Sequence, residues 1–222
     1  SSTEPNMQNI PVRTPLGREL RKMFIASDEN HILVDADYSQ IELRVLAHIA
    51  NDETMIKAFK DGSDIHSVTA SQVFDVPADE VTAEQRSNAK AVNFGIVYGI
   101  GEFSLAGDLK ISIKKAKRYI DSYLEKYNGV REYMNRIKDK AKTDGFVKTI
   151  MNRIRYIPEL KSSNFNVRSF GERVALNTPI QGTAADIIKL AMVRVYERLK
   201  NEGLESKLIL QVHDELIVDA VV

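Results

Sequence analysis

The chain has 222 residues and no net charge at neutral pH, and 43% of its residues are hydrophobic while 28% are charged, which is typical of a globular protein with one large domain or two small ones. It has no cysteine, so disulfide bonds and thiolate metal sites are excluded. No apolar run approaches the ~18 residues that span a membrane, and the polar start lacks the apolar region of a signal peptide. We therefore predict a cytoplasmic protein without a membrane partner.

Charge is unevenly distributed along the chain. Residues 1–109 contain 9 Lys and Arg against 17 Asp and Glu, residues 110–155 contain 14 against 5, and residues 156–222 contain 8 against 9. A basic middle between acidic flanks suits a protein that holds a polyanion on one surface and cations on another. A solvated helical face gives the same charge run, so both interpretations stay open.

The first 22 residues are polar and rich in turns, with prolines at positions 5, 11 and 15. Asn6, Gln8 and Arg13 are hydrogen-bonding side chains in an extended context that the prolines partly impose, although ordinary loops have this composition too. A short strand is predicted at 23–25.

The next stretch combines an apolar strand with carboxylates. The strand at 32–34 leads into Asp35 and Asp37, and Ser39 is a suitable N-cap for a helix over 40–49. Asp37 therefore lies at the C-terminal end of a strand, where α/β proteins gather their sites. A carboxylate at this place is also a common turn or capping residue.

A helix is predicted to begin at Thr82, which forms a capping-box pattern with Gln85. Because a step of four residues turns a helix by only about 40°, two cations and two aromatic residues share one broad face: Arg86, Lys90, Phe94 and Tyr98. This face suits a ligand with phosphates at one end and a flat ring at the other, but an ordinary amphipathic helix gives the same pattern. Gly95 and Gly99 would each cost about 1 kcal/mol inside a helix, so we expect something to approach the backbone closely beside the aromatic residues.

The other segments are mainly helical in pattern. Short helices and loops are predicted for 51–81, where Asp64-Ile65-His66 forms a polar cluster and a lone histidine is commonly structural. The elements predicted after the central helix are basic helices at 112–127 and 129–143, a hairpin at 145–157 and a loop at 162–167.

A long helix, or two, is predicted over 171–199, with Pro179 as a start or a kink. Arg173, Asn177 and Gln181 recur every four positions on one of its faces. Such a row can contact acceptors in the minor groove of a nucleic acid, and an exposed polar stripe is the alternative.

Two β-rich runs, 207–212 and 216–222, flank His213-Asp214-Glu215 and predict a hairpin with acids at its tip. If this hairpin and the strand before Asp37 lie in one sheet, two carboxylates can meet at one edge. Mg²⁺ prefers carboxylate, water and phosphate oxygens, and a pair of such ions suits phosphoryl transfer. Because the chain begins with Ser and stops within a strand pattern, we expect a fragment of a longer protein.

Three ordered motifs resemble those of family-A DNA polymerases, the bacterial DNA polymerase I type. The sequence DYSQIELR at 37–44 resembles the first palm motif, RSNAKAVNFGIVYG at 86–99 resembles the fingers helix, and QVHDE at 211–215 resembles the third motif. Residues 1–13 and 173–186 also resemble family segments, so the resemblance covers essentially the whole chain.

The resemblance implies an α+β fold in which an antiparallel-sheet palm carries an inserted, mostly helical fingers subdomain. The palm would comprise residues 1–60 and 153–222, and the fingers residues 61–152. Family members have a thumb subdomain before this region and further strands after the third motif, so we expect the thumb to be absent and the palm to be C-terminally truncated. The sequence also departs from the family at 152–154, where Asn-Arg-Ile replaces the usual Gly-Arg-Arg.

The resemblance implies template-directed DNA synthesis with two Mg²⁺ ions, for which Mn²⁺ can substitute. Asp37 and Asp214 would bind the ions together with the Tyr38 carbonyl, and Glu215 would be auxiliary. Lys90 would assist the departure of pyrophosphate.

The incoming dNTP would be held through its triphosphate by four side chains, which are Arg86, Lys90, His66 and Gln40. Phe94 would stack on the nucleotide, and Tyr98 would lie at the templating position. Phe94, where some relatives have Tyr, implies discrimination against dideoxynucleotides, and Glu42 would be the steric gate that crowds a ribose 2′-hydroxyl.

Primer–template DNA would contact a further set of side chains, namely Arg173, Asn177, Gln181 and His213 and, more weakly, Asn6, Gln8 and Arg13. Without a thumb, we expect the chain alone to extend primers weakly and distributively, with a missing thumb or C-terminal segment of the parent protein as a further partner.

Two other functions stay open at this point. A non-catalytic fragment that binds nucleotide or DNA explains the same motifs without turnover. A DxD-type phosphatase is suggested by Asp35-Ala36-Asp37 after an apolar strand, but Ser39 stands where Thr or Val is usual, and this function leaves 86–98 unexplained.

Overall fold

The computed structural model describes residue 10 and residues 14–222, so the predicted DNA-contacting residues Asn6, Gln8 and Arg13 lie outside the described part. The chain forms two compact units. Unit 1 comprises residues 1–39 and 185–222, and unit 2 comprises residues 40–184.

Unit 1 contains three strands in its described part, which are β1 (His31–Asp37), β4 (Lys207–Val212) and β5 (Glu215–Val221). They form an antiparallel sheet in the order β1-β5-β4. The register places Asp37 opposite Glu215, and the pairing of β4 with β5 is interrupted by a bulge between Leu208 and Leu210. The hairpin predicted at the end of the chain, with its acidic tip, is therefore confirmed.

The segment before β1 differs from the sequence prediction. Helix α1 (Pro15–Arg21) is capped by the Thr14 side chain, which accepts the Gly17 N–H at 3.1 Å. The strand predicted at 23–25 is wrong, because these residues form turn and coil and a short apolar run without a neighbouring strand gains no ladder. Instead, Ser27 anchors this segment, since both its backbone N–H and its hydroxyl donate to the buried carboxylate of Asp219.

Unit 2 is mostly helical. Its helices are α2 (Ile41–Ala50), α3 (Glu53–Lys60), α4 (Ile65–Phe74), α5 (Ala83–Tyr98), α6 (Glu102–Leu109), α7 (Ile113–Lys126) and α8 (Asn128–Asp144). A small antiparallel hairpin follows, formed by β2 (Phe146–Lys148) and β3 (Ile154–Tyr156). The long helix α9 (Phe165–Asn201) contributes its first part to unit 2 and its last part to unit 1.

The predicted helix at 40–49 and the predicted loop at 162–167 are shifted in the structure. The N-cap of α2 is Gln40 rather than Ser39; it has a left-handed φ of 50° and no capping bond from its side chain. Helix α9 begins at Phe165, inside the predicted loop, because the Asn164 side chain accepts the N–H groups of Asn166 at 2.9 Å and Val167 at 3.3 Å. Side-chain capping of this kind satisfies donors that a helix start leaves open.

The core of unit 2 lies among α2, α4, α5, α7 and α8. Its fully buried apolar side chains include Leu43, Leu46, Ile65, Val92, Val97 and Val130. The basic helices α7 and α8 join this core through buried tyrosines, among them Tyr119, Tyr123 and Tyr133, while most of their lysines and arginines are exposed. The two basic helices predicted from the sequence are thus confirmed as amphipathic helices.

The described residues therefore combine helices with small antiparallel sheets, which agrees with the mixed helix and sheet class predicted from the sequence. None of the helices in this part of the chain is both long and apolar enough to cross a bilayer. The division into palm and fingers at residues 60 and 152 stays a prediction.

The start of α8 leaves no space for a side chain at Gly129. A Cβ there would lie 2.8 Å from the Ala50 carbonyl oxygen and 2.9 Å from the Asp52 Cα, and the Gly129 N–H donates to the Asp52 carboxylate at 3.1 Å. We predict that Gly129→Ala lowers the free energy of unfolding by about 1–3 kcal/mol, because backbone atoms must move to relieve the overlap. Urea denaturation measures this change.

Gly107 provides the matched control, because it lies in α6 with open space around the added Cβ. Gly107→Ala should stabilise the chain by about 0.5–1 kcal/mol through helix propensity. Equal effects of the two substitutions would contradict the close packing of Gly129.

Candidate functional site

Four carboxylates gather at one end of the unit 1 sheet, and we call them the acid cluster: Asp35, Asp37, Asp214 and Glu215. Asp37 ends β1 and lies opposite Glu215, the first residue of β5. The Tyr38 N–H donates to the Asp214 carbonyl at 3.2 Å, which extends the pairing of the two chain segments beyond the sheet. The sequence had suggested Asp37 and Asp214 as partners, and the structure brings both to this end of one sheet.

The turn between β4 and β5 has a constrained backbone. His213 adopts a left-handed φ of 51°, which is uncommon for a residue other than glycine. The Gln211 side chain donates to the His213 carbonyl at 2.6 Å, and this bond supports the turn. The position of Asp214 therefore depends on both the β-ladder and a side-chain bond across the turn.

Burial and repulsion from neighbouring carboxylates raise the pKa of two members of the acid cluster, Asp37 and Glu215. The pKa of Asp37 is raised, first by partial burial and then by the negative charges of Asp214 and Asp35. The pKa of Glu215 is raised by burial and by the three aspartates, while Arg21 opposes this effect. Sequence reasoning did not include Asp35 in the site, although its spacing of two residues from Asp37 in a strand places both on the same face.

The acid cluster has the donor chemistry of a magnesium site that is completed by a substrate. Mg²⁺ is commonly bound by one or two carboxylates together with water and phosphate oxygens, rather than by a cage of protein ligands alone. Among the described residues, no three His, Asp or Glu side chains converge as a preformed metal cage. Asp37 and Asp214 therefore fit a cation that brings its own water or phosphate ligands.

Helix α5 of unit 2 presents the predicted row of two cations and two aromatic residues. The capping box is present, with the Thr82 N–H donating to the Gln85 side chain at 2.8 Å and the Gln85 N–H donating to the Thr82 hydroxyl at 3.2 Å. The rings of Phe94 and Tyr98 are stacked with centroids 6.3 Å apart and planes inclined by 17°. Lys90 Nζ lies 5.9 Å from the Phe94 ring centroid, so cation and ring are adjacent, as the helical spacing predicted.

The two glycines of this helix have neighbours within the chain. A Cβ at Gly95 would lie 2.8 Å from Cγ1 of Ile100, and Gly99 is the C-cap with a left-handed φ of 64°. A Cβ at Gly99 would also lie 3.1 Å from the Leu176 side chain. The close approach expected from the sequence is therefore made by Ile100 and by α9.

Arg86, the first cation of the row, is held by Asp64. Its Nε and one terminal nitrogen donate to the two carboxylate oxygens of Asp64 at 2.5 and 3.2 Å. Asp64 is also the N-cap of α4, where it accepts the His66 N–H at 3.3 Å and the Ser67 hydroxyl at 2.7 Å. Burial raises the pKa of Asp64, but the bonds from Arg86, Ser67 and His66 outweigh it and lower the pKa to about 2. The sequence marked Asp64 only as part of a polar cluster, and helix capping was the signal that could have assigned it.

A buried polar network lies between α4 and α5. Asn93 Nδ2 is 3.1 Å from His66 Nδ1 and 3.1 Å from the Thr69 hydroxyl, and the Thr69 hydroxyl is 3.0 Å from the Tyr127 hydroxyl. All four residues are buried. Burial lowers the pKa of His66, and the nearby Arg86 and Lys90 lower it further while Asp64 raises it. Asparagine has a lower helix propensity than most residues, and this network supplies a reason for Asn93 inside α5.

The other predicted nucleotide and DNA residues of unit 2 lie on α2 and α9. Gln40 caps α2, and Glu42 is half-buried in its first turn. Arg173 is exposed, with its guanidinium 5.9 Å from the Phe170 ring centroid. Within the described part, the Asn177 Oδ1 atom is buried and lacks a hydrogen-bond partner. Since α9 is one continuous helix, Arg173, Asn177 and Gln181 follow one another at helical spacing, while their contacts with DNA stay a prediction.

The Asp64–Arg86 pair predicts a pH-dependent stability. The pKa of Asp64 is about 2, below its ordinary value of 3.8, so the ion pair contributes fully above pH ~4 and is lost as the pH falls towards ~2. Both side chains are more than a third exposed, so we expect Asp64→Asn, which keeps the helix cap, to cost at most about 1 kcal/mol at neutral pH. Urea denaturation at several pH values measures the difference between the two proteins.

That difference should disappear as the pH falls towards the folded pKa of Asp64. Lys117 and Asp121 form an exposed i,i+4 pair on α7, so Asp121→Asn is the matched control for loss of a surface ion pair. A difference between Asp64→Asn and the parent chain that persists unchanged in acid would contradict the assignment to this carboxylate.

Comparison with known proteins places the chain in a family. Residues 1–221 match the sequence profile of DNA polymerase family A. The chain is 56% identical over 220 residues to DNA polymerase I of Caldicellulosiruptor bescii, covering 99% of this chain and 26% of that protein, and 56% identical to DNA polymerase I of Bacillus subtilis, covering 25% of that protein. It therefore spans about a quarter of the length of these curated relatives.

A solved structure is also similar over the full chain. This is the polymerase domain of Pol1 from M. smegmatis in complex with DNA primer-template and dNTP, with a TM-score of 0.93, 50% identity, and coverage of 100% of this chain and 39% of that one. The profile match and the identities together show that the chain belongs to DNA polymerase family A.

Proposed function

We propose that the chain catalyses template-directed DNA synthesis, in which deoxynucleotides pass from dNTPs to a primer 3′-hydroxyl. The acid cluster is the observation that carries this proposal, because its repelling carboxylates need a cation and phosphoryl transfer is served by cations held on carboxylates. Membership of the polymerase family supports the choice of reaction, and the similar structure was solved with DNA primer-template and dNTP.

Asp37 and Asp214, with the Tyr38 carbonyl, would hold two Mg²⁺ ions, and Mn²⁺ would be a substitute. When bound, such ions activate an attacking oxygen and stabilise a leaving one. Glu215 and Asp35 would contribute negative charge around these ligands. Their repulsion in the metal-free chain favours cation binding, because a cation removes the cost of holding like charges together.

The side chains of α5 and α4 would bind the dNTP. Arg86 and Lys90 would contact the triphosphate, with Gln40 and His66 as further contacts, and Phe94 would stack on the nucleotide. Arg86 would exchange the Asp64 carboxylate for a phosphate, since both ligands accept the same forked pair of hydrogen bonds. Lys90 would stabilise the pyrophosphate as it leaves, and Tyr98 would lie at the templating position.

We further propose the subdomain assignment implied by the family resemblance. Residues 1–60 and 153–222 would form the palm, and residues 61–152 the fingers. Arg173, Asn177, Gln181 and His213, with Asn6, Gln8 and Arg13, would contact primer–template DNA. Because the chain spans about a quarter of the length of its curated relatives, we expect weak and distributive extension by this chain alone and cytoplasmic localisation of the parent protein.

Primer extension tests the proposed function. With a primed template, four dNTPs and Mg²⁺, we predict that Asp37→Asn and Asp214→Asn each reduce the extension rate by at least about 100-fold, because each removes a carboxylate that would hold the cations, and the cations would stabilise the transition state. Asp144→Asn is the matched control, since it makes the same chemical change at an exposed residue at the end of α8 and should leave the rate unchanged.

Three other results of this assay would be decisive. Full extension by either of the first two variants would contradict the metal assignment. Binding of dNTP by a folded parent chain that extends no primer would favour a non-catalytic binding fragment. Template-independent hydrolysis of a small phosphoester would favour the phosphatase suggested by Asp35-Ala36-Asp37.

Selection between sugars provides a second prediction for the same activity. We expect Glu42→Ala to raise ribonucleotide incorporation by about 10-fold or more, because removing a steric clash is worth on the order of 1–3 kcal/mol. Primer extension with each rNTP measured against its dNTP gives this ratio. Glu53→Ala, in the exposed first turn of α3, is the control, and a selectivity ratio unchanged by Glu42→Ala would remove the steric-gate role.

A further inference from the structure

The buried hydrogen-bonding network around His66 has more members than are needed to satisfy a buried histidine. His66 is 3% exposed, and Asn93, Thr69 and Tyr127 are fully buried. A buried histidine can be accommodated by any partner that satisfies one ring nitrogen. Here the partner is an asparagine on α5, the helix that also carries the row of cations and aromatic residues, and its amide is in turn bound to a second pair of residues.

The orientation of the Asn93 amide determines which nitrogen of the His66 ring carries the hydrogen. Asn93 Nδ2 has two hydrogens and two neighbours at 3.1 Å, His66 Nδ1 and the Thr69 hydroxyl, while Asn93 Oδ1 lies 3.3 Å from the same hydroxyl. Because the amide nitrogen only donates, Nδ1 of the imidazole must accept. A neutral ring that accepts at Nδ1 carries its hydrogen on Nε2.

Thr69 and Tyr127 continue the hydrogen-bonding network beyond the Asn93 amide. The Thr69 hydroxyl contacts both polar atoms of the Asn93 amide, and it lies 3.0 Å from the Tyr127 hydroxyl. Burial raises the pKa of Tyr127 to about 12, so the phenol keeps its hydrogen and the network keeps its donors. Burial also lowers the pKa of His66, which favours the neutral ring.

The second nitrogen of the His66 ring remains for a ligand, because Nδ1 is the nitrogen that contacts Asn93. The His66 ring lies 6.0 Å from the Phe94 ring, and Arg86 and Lys90 are close enough to lower the pKa of His66. The neutral Nε2–H group therefore lies beside the α5 row that suits a triphosphate and a base.

We propose that Asn93 is a positioning residue that fixes His66 as the Nε2–H tautomer, so that His66 donates a hydrogen bond to a phosphate oxygen of the bound dNTP. This inference rests on the proposed function for its ligand, whereas the tautomer is a property of the free chain. A phosphate oxygen is only an acceptor, and the opposite tautomer would place the lone pair of Nε2 against it. Asn93 would therefore determine whether His66 attracts or repels the nucleotide without touching the nucleotide itself.

The tautomer is measured first, by ¹⁵N–¹H correlation spectra of the histidine rings in the folded chain. The chain has four histidines, and His66→Gln identifies the signal of His66. We expect the parent chain to show a neutral ring with its hydrogen on Nε2. A neutral ring with its hydrogen on Nδ1 would overturn the proposal, and this result needs no variant to fold.

Asn93→Asp then reverses the hydrogen bond with little change in shape. When ionised, the introduced carboxylate can only accept, so His66 must then carry a hydrogen on Nδ1, either as the other neutral tautomer or as the imidazolium. Asn88→Asp is the control on the same helix and should leave the His66 signals unchanged. An unchanged tautomer in a folded Asn93→Asp chain would also overturn the proposal.

Binding of dTTP with Mg²⁺ tests the donation to phosphate. At pH ~8.5 we expect Asn93→Asp to weaken binding by about 10-fold, as for loss of one hydrogen bond to a charged group. At pH ~6 binding should recover, because the introduced carboxylate raises the pKa of His66 and the imidazolium donates from both nitrogens. The charged and titratable groups around the ring are Asp64, Arg86, Lys90 and Tyr127, and none of them has an ordinary pKa between these pH values.

The outcomes separate the tautomer from the proposed function. If the parent chain binds no dTTP, the proposed function fails and the donation fails with it, while the spectrum still decides the tautomer. If Arg86→Ala weakens binding but Asn93→Asp leaves it unchanged at both pH values, the proposed function survives and the role of His66 as a donor is wrong.

Discussion

Repulsion among carboxylates is the constraint on which the candidate site depends. The pairing of β1 with β5 places Asp37 opposite Glu215, and the tight turn after β4 adds Asp214 beside them. In the free chain this arrangement is unfavourable, since burial and the neighbouring carboxylates raise the pKa of Asp37 and of Glu215. The ladder that creates the repulsion is a continuous antiparallel sheet, so the backbone bonds hold the charges in place. The sheet backbone therefore fixes an arrangement of negative charges that a bound cation would stabilise.

In unit 2, by contrast, two important polar side chains are paired with partners of the same unit. Asp64 is paired with Arg86, and His66 is paired with Asn93. Asp64 offers two oxygens to the guanidinium, as a phosphate would. In the free chain, Arg86 therefore makes a bidentate contact with Asp64. An exposed ion pair of this kind contributes little to the free energy of folding, so little free energy is needed to exchange its carboxylate for another anion. The buried pair is different, because removing either partner would leave an unsatisfied group away from water.

Much of the fold was predictable because local signals agreed with one another. The capping box of α5, the two basic helices and the terminal hairpin all follow from periodicity and capping, and the structure confirms them. The wrong strand at 23–25 shows the limit, since three apolar residues specify a strand only if a partner strand is present. The early start of α9 shows another limit, because it depends on a capping bond from Asn164 that the sequence allowed but did not require.

The candidate site was predictable in part for the same reason. Spacing alone placed Arg86, Lys90, Phe94 and Tyr98 on one helical face, and family resemblance supplied their roles. Asp64 and Asn93 were missed because each has a partner that is distant in sequence, whereas Asp35 could have been found from its spacing of two residues from Asp37. Asn93 is the clearest case, since its partners His66 and Thr69 are 27 and 24 residues away and only packing brings them together.

The two units differ in the kind of hydrogen-bonding group that they offer, and the proposed function would use both kinds. The acid cluster offers acceptors, so it can bind a phosphate only through a cation. Arg86 and Lys90 on α5 offer donors, which are the groups that bind phosphate directly. Equal numbers of acids and bases therefore do not mean that charge is evenly spread, because Asp37 and Asp214 gather negative charge in unit 1 while Arg86 and Lys90 place positive charge on α5 of unit 2. The segment totals do not reveal this separation, since Arg86 and Lys90 lie within residues 1–109, where acids outnumber bases by 17 to 9.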